Sequence, residues 1–227
     1  MLNLDAALWI AGSGVSNINT QLALVSHNVA NAGTASYAAE TASQQELTVD
    51  GSGMGVVTGP ATRVTDAALQ ADLLQQNATV AGLQTTQTAL TAIDAVNGTP
   101  GQGNDIGSLL NNLQNQFSTL LNNPGSASQQ AQVVATAATL AQGINTLSGT
   151  YTAQRQQAQD SIVSEVGQVN TTLGNIGSLS NQIMAAQAAG QSTADLQNQR
   201  DAQISSLSQL VNINVLSQPS GDVLITT

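Results

Sequence analysis

Apolar residues open the chain with a regular beat: Leu4, Leu8, Ala11, Val15, Ile18, Leu22, Val25 and Val29. Steps of four and three alternate without a break, which places all eight on one face of a single helix as a heptad seam. Asn31, Gly33 and Ser36 are turn-forming residues, so the helix is expected to end near Asn31. A lone helix of about 26 residues, roughly 39 Å long, cannot cover its own seam. A later segment or another chain must do so.

Beyond Tyr37 the period changes. Glu46–Val49 and Gly55–Thr58 are short β-prone runs around Asp50-Gly51-Ser52-Gly53, a hairpin signal near residues 46–58. The glycines at 51, 53 and 55 lack the spacing, the lysine and the following helix of a phosphate loop. Pro60 is expected to end the segment. Thr65 or Asp66 then caps a second helix carrying Leu69, Leu73, Val80, Leu83 and Leu90, stopped by Asn97-Gly98-Thr99-Pro100. A third helix spans 106–121. After the turn at 122–125, with Ser126 or Ser128 as cap, a seam runs from Val133 through Ile144, Tyr151, Ile162 and Ile176 to Ile183.

That patterning lasts for about 55 residues, against about 11–12 in a mean helix. Gly143, Gly167, Gly174 and Gly177 interrupt it. Each costs about 1 kcal/mol relative to Ala unless it permits bending or close approach. A break around Gly190 precedes a final helix over 193–210, and two β-prone runs flank Pro219-Ser220-Gly221-Asp222. The pattern predicts a mainly α protein of long heptad-patterned helices forming an elongated coiled-coil-like rod. Three segments are expected: an N-terminal helix and its motif over 1–40, a helical region with a hairpin insertion over 41–211, and the start of an outer β-domain over 212–227.

Composition sharpens this picture by exclusion. Only 7% of the 227 residues are charged; lysine is absent, the basic residues are Arg63, Arg155 and Arg200, and the net charge is -10. Such a chain has no basic groove for nucleic acid and no basic patch for anionic lipid. With Trp9, Tyr37, Phe117 and Tyr151 as its only aromatic residues, packing falls to aliphatic side chains on helices laid side by side. Cysteine is absent, so there is no disulfide or thiolate chemistry. Apolar runs are too short for a membrane span. Asp5 stands where a cleaved signal peptide would carry Lys or Arg, so export would use another route.

Candidate chemistry is correspondingly thin. His27 is the only histidine. One His without Cys does not make a typical zinc site, and Ser26 beside His27 is not a triad, because neighbours on a helix diverge. No catalytic, metal or cofactor residues are expected, and no enzyme activity. The polar pair singled out is Arg200-Asp201, read as an ion pair or cap where the last helix meets the β-domain, or else as solvated helix residues.

Two stretches carry a resemblance. Ser26-x-Asn28-Val29-Ala30-Asn31-x-x-Thr34-x-x-Tyr37, following an apolar N-terminal helix, resembles the shared motif of flagellar axial proteins: rod, hook and hook-associated families. Those families carry Gly just before the Tyr, where this chain has Ser36. Arg63, Asp66 and Leu69, placed after Gly55-Val56, together with Gln199-Arg200-Asp201 and the Leu207, Val211, Ile213 and Val215 that follow, resemble the hook-associated protein 1 family, the hook–filament junction proteins. The resemblance covers nearly the whole chain and implies an N-terminal portion of a longer protein.

It further implies a secreted structural subunit that polymerises through its helices at the hook–filament junction of a bacterial flagellum and leaves the cell by type III export. Its implied partners are the hook protein, the second junction protein, its own copies and its own C-terminal helices, the last covering the seam from Leu4 to Val29. The alternatives are a rod or hook axial protein and a secreted coiled-coil adaptor.

Overall fold

The computed structural model describes residues 4–49 and 51–227. Among them the elements run α1 (Leu4–Ala30), β1 (Glu40–Val49), β2 (Ser52–Arg63), α2 (Ala67–Asn97), α3 (Ile106–Asn122), α4 (Ala127–Ala188), α5 (Ala194–Ser208), β3 (Asn214–Ser217) and β4 (Val223–Thr226). The mainly α class expected from the pattern is the one observed. Asp50, part of the expected turn, lies outside the described residues.

The chain forms two compact units. The first comprises the described residues up to Ala81 together with Gly167–Thr227; the second is Gly82–Val166. In the first, Ile176 of α4, Ile204 and Leu207 of α5, and Ile213 make a buried cluster. Leu74 of α2 and Val215, Val223 and Ile225 of the β3–β4 hairpin pack against it. Residues 212–227 therefore cover the same core as α5. α4 ends where Gly190 takes φ +67, with the Gln191 amide donating to the Ala186 carbonyl (2.9 Å) and the Gly190 amide to that of Gln187 (3.0 Å). This left-handed stop closes the helix's free carbonyls.

The first hairpin is longer than its β-prone runs. β1 and β2 pair antiparallel from Glu40↔Arg63 to Val49↔Ser52. Pro60 does not end the segment; it lies within β2. The register skips between Ala42 and Gln44, leaving Gly59 and Pro60 opposite Ser43, and a bulge is where a strand tolerates a residue without an amide donor. The cross-strand ladder carries the polar residues of both ends, which alternation of apolar residues does not reveal.

In the second unit α3 packs near the part of α4 around Gly143. A Cβ there would stand 3.0 Å from Leu109 Cδ1 and 3.2 Å from Ile106 Cδ1, so this glycine serves close approach. A Cβ at Gly167, Gly174 or Gly177 would meet nothing within 4 Å. Asp105 caps α3, accepting from the Ser108 amide (2.9 Å) and hydroxyl (2.5 Å). These hydrogen bonds hold its carboxyl below the ordinary value, since they favour the charged form.

Candidate functional site

α1 presents its faces in the reverse of the usual sense. Its contact with the first hairpin is polar. The Ser13 hydroxyl accepts from the Val56 amide (3.1 Å) and donates to the Ile10 carbonyl (2.8 Å). The Thr58 hydroxyl donates to Asn17 Oδ1 (3.0 Å), and Gln21 Nε2 donates to the Ala42 carbonyl (3.1 Å). Asn17 is the buried residue of the helix. Gly55, at φ +127, makes the approach possible: a Cβ there would sit 2.3 Å from Ser13 Oγ. The seam residues Leu4, Leu8, Ala11, Val15, Ile18, Leu22, Val25 and Val29 are all exposed, Ile18 at 66% and Leu22 at 61%.

The motif after α1 folds into a tight corner. Asn31 Nδ2 donates back to the His27 carbonyl (3.0 Å), and the Thr34 hydroxyl donates to Asn31 Oδ1 (3.3 Å). Ser36 adopts φ +64, the left-handed region. The chain then returns, and the Tyr37 hydroxyl donates to Asn28 Oδ1 (2.8 Å). Asn28 also grips the first residue of β1 at both backbone groups, accepting from the Glu40 amide (2.8 Å) and donating to its carbonyl (2.8 Å). Ser26 and Ala30 of the same motif are exposed, and Val29 belongs to the open seam.

α5 completes the grip. Asn198, buried, accepts from the Ala38 amide (3.1 Å) and donates to the Ala38 carbonyl (3.2 Å) and to Glu40 Oε1 (2.8 Å). Two asparagine amides thus hold alternate residues of one extended segment, Ala38 from α5 and Glu40 from α1, each as a neighbouring strand would. Asn198 Oδ1 also accepts from Arg63 Nη1 (3.2 Å). The Arg63 guanidinium spans α5, with Nε donating to Gln197 Oε1 (3.0 Å) and Nη1 to Asp201 Oδ2 (2.5 Å).

Two of the signature residues therefore meet across the fold: Arg63 at the end of β2 and Asp201 on α5. Asp66 is a helix cap, its Oδ1 accepting from the amides of Ala68 (2.9 Å) and Leu69 (3.1 Å). Leu69 and Gln199 are exposed. Arg200 and Asp201 are neither an ion pair with each other nor solvated. Consecutive helix positions point apart, and Asp201 turns to Arg63 while Arg200 turns into the core. There Arg200 Nη1 donates to the Gly221 carbonyl (2.6 Å) and Ser180 Oγ (3.2 Å), tying α5 to the β3–β4 turn. Burial pulls its guanidinium below the ordinary value, with Asp201 opposing the shift.

Sequence reasoning assigned no role to Asn198, Gln197, Glu40 or Asp195. Glu40 is 3% exposed. Its carboxyl is raised above the ordinary value, by burial first and by the neighbouring Asp195 second. His27 Nδ1 stands 3.6 Å from Asp195 Oδ1, and its ring packs edge-on to Tyr37. The overlooked signal is scarcity: where charges are few, a Glu three residues after the motif and an Asp beginning a helix are informative positions.

This is a polar clasp on a helical scaffold, and its two halves come from the two stretches that carried the resemblance. Residues 90–227 match the family described as the flagellar hook-associated protein FlgK helical domain. The chain belongs to that family. It is 28% identical to flagellar hook-associated protein 1 of Bacillus subtilis (strain 168), over 97% of this chain and 46% of the relative. It is 27% identical to flagellar hook-associated protein 1 of Salmonella typhimurium (strain LT2), over 95% of this chain and 40% of that protein. The structure of the flagellar hook junction protein FlgK from Burkholderia pseudomallei superposes with a TM-score of 0.61 at 26% identity, covering 69% of this chain and 27% of that one. The chain thus spans less than half the length of the curated relatives it matches.

Proposed function

We propose that this chain is part of a structural subunit of the bacterial flagellum that joins hook to filament by helix-mediated polymerisation. The observation that carries this reading is the inverted α1. Its polar face is spent on the β1–β2 hairpin, and its continuous apolar seam faces solvent. Each such side chain yields about 1.5–3 kcal/mol when covered. The occupants that fit are helices of the same protein beyond this chain and neighbouring axial subunits. The clasp at Asn28, Asn198 and Arg63 holds α1 in register with α5 and so positions the seam. The work is packing rather than catalysis, and the protein acts outside the cell at the hook tip. Among the described residues no helix is long and apolar enough to cross a membrane.

The test is Ile18→Asp, made in this chain and in the full-length protein in its host. In the isolated chain the melting transition should be unchanged, because Ile18 already faces water. In cells the protein should be made and exported but fail to stay at the hook tip, so that filament subunits leak into the medium and motility is lost. A destabilised chain with normal filaments would defeat the proposal.

A further inference from the structure

We propose that His27, Glu40 and Asp195 form a binding site for a divalent transition-metal ion of the Zn2+ type, which staples the corner after α1 to the start of α5. Each residue offers one ligand atom, and the three atoms lie within 4.8 Å of one another. They come from α1, β1 and α5, elements already drawn together by the asparagine clasp. One imidazole nitrogen and two carboxylate oxygens form a donor set that suits zinc, leaving a fourth position for water. Calcium and magnesium prefer six or more oxygens and are poorly served.

The second observation is the state of Glu40. It is 3% exposed, and its carboxylate receives a side-chain hydrogen bond from Asn198 Nδ2 to Oε1 (2.8 Å). Its other close polar neighbours are His27 and a second carboxyl group, Asp195, to which it is also hydrogen-bonded. No arginine answers this pair. Arg63, which shares Asn198 with Glu40, is committed to Asp201, and the chain has no lysine. Two carboxylates brought together at a half-covered site call for a cation, and His27 supplies the nitrogen that selects a softer one. Tyr37, with its hydroxyl 3.4 Å from His27 Nδ1, borders the same edge of the ring as Asp195. The ring would bind through Nδ1 with its proton on Nε2. Counting histidines and cysteines alone excludes a zinc site here; the missing ligands are carboxylates delivered by the fold.

The experiment is calorimetric titration of the untagged chain with zinc chloride in a non-chelating buffer, paired with thermal melts. One saturable zinc per chain is expected, with a melting temperature that rises with zinc concentration. His27→Ala, Asp195→Asn and Glu40→Gln should each weaken binding at least about tenfold and abolish the thermal shift. His27 and Asp195 have side chains 44% and 66% exposed, so these two variants should fold as the parent does, checked by their circular dichroism. Glu40→Gln keeps an oxygen for Asn198. No saturable binding, or a His27→Ala variant that binds zinc like the parent, would overturn the proposal, the latter by showing zinc scattered over surface carboxylates. Calcium binding as tightly as zinc would overturn the assignment to a transition metal. None of these outcomes depends on the role of the α1 seam.

Discussion

α1 and α5 belong to the same compact unit and handle their apolar residues in opposite ways. α5 turns Ile204 and Leu207 inward, at 4% and 1% exposure, and uses its polar residues Asn198, Arg200 and Asp201 to hold neighbours. α1 buries Asn17 and leaves Leu8, Ile18 and Leu22 outside. A helix joined to its unit through hydroxyls and amides, with its seam in water, gains little from the hydrophobic effect within this chain. The lesson is that a heptad seam marks where a helix must pack, and only the fold tells whether the partner lies in the same chain. α5 maintains the unit; α1 is offered by it.

The largest expected effect tests that division directly. Leu207→Ala should lower the stability of this chain by about 2–5 kcal/mol, through lost burial and the cavity left behind. Leu22→Ala, a truncation of the same size on the exposed seam, should change it by no more than about 0.5 kcal/mol. Urea unfolding followed by circular dichroism measures both. Comparable losses at the two leucines would mean that α1 is packed within the chain after all.

A middle-sized effect belongs to the clasp that joins the two helices. Arg63 and Asp201 have side chains only 11% and 19% exposed. Removing the guanidinium strands a largely buried carboxylate and takes donors from Gln197 and Asn198. Arg63→Met should cost about 2 kcal/mol, within the range for hydrogen bonds to charged groups. Arg155→Met, on the exposed surface of α4, should cost no more than about 0.5 kcal/mol. The same urea series ranks the pair, and equal small losses would show that the clasp does not hold α1 to α5.

The helices were legible because their information is local and periodic: the seam of α1, its end at Ala30, the cap at Asp66 and the stop at Gly190 all follow from residues within a few positions. The clasp was not. Nothing in the neighbourhood of Arg63 indicates Asp201, and nothing around Asn28 indicates that Asn198 repeats its two-sided grip on the same segment. The hairpin was read short because its outer rungs are polar, and Pro60 resembles a terminator unless the bulge opposite Ser43 is known. The choice between bending and close approach at the α4 glycines likewise depended on the facing side chains, which exist at Gly143 and are absent at Gly174.

The smallest effect sits at the joint between the two helices, where one residue is out of keeping with its backbone. Ser36 holds φ +64, a conformation in which an L side chain crowds the following carbonyl. That crowding costs about 1–2 kcal/mol, and glycine escapes it but surrenders about 0.5–1 kcal/mol of additional chain entropy on folding. Ser36→Gly should therefore stabilise the chain by about 0.5–1 kcal/mol, whereas Ser36→Val, branched at Cβ, should destabilise it. The sign in the melt decides whether the corner has the strain that its backbone indicates. Hydrogen exchange then sharpens the comparison of the helices. If the corner limits how firmly α1 is held, Ser36→Gly should slow exchange at the Asn28-bonded amide of Glu40 and leave the amides of Ile204 and Leu207 unchanged. An equal slowing at both places would mean that α1 and α5 open together, as one cooperative element rather than as a platform and the helix it presents.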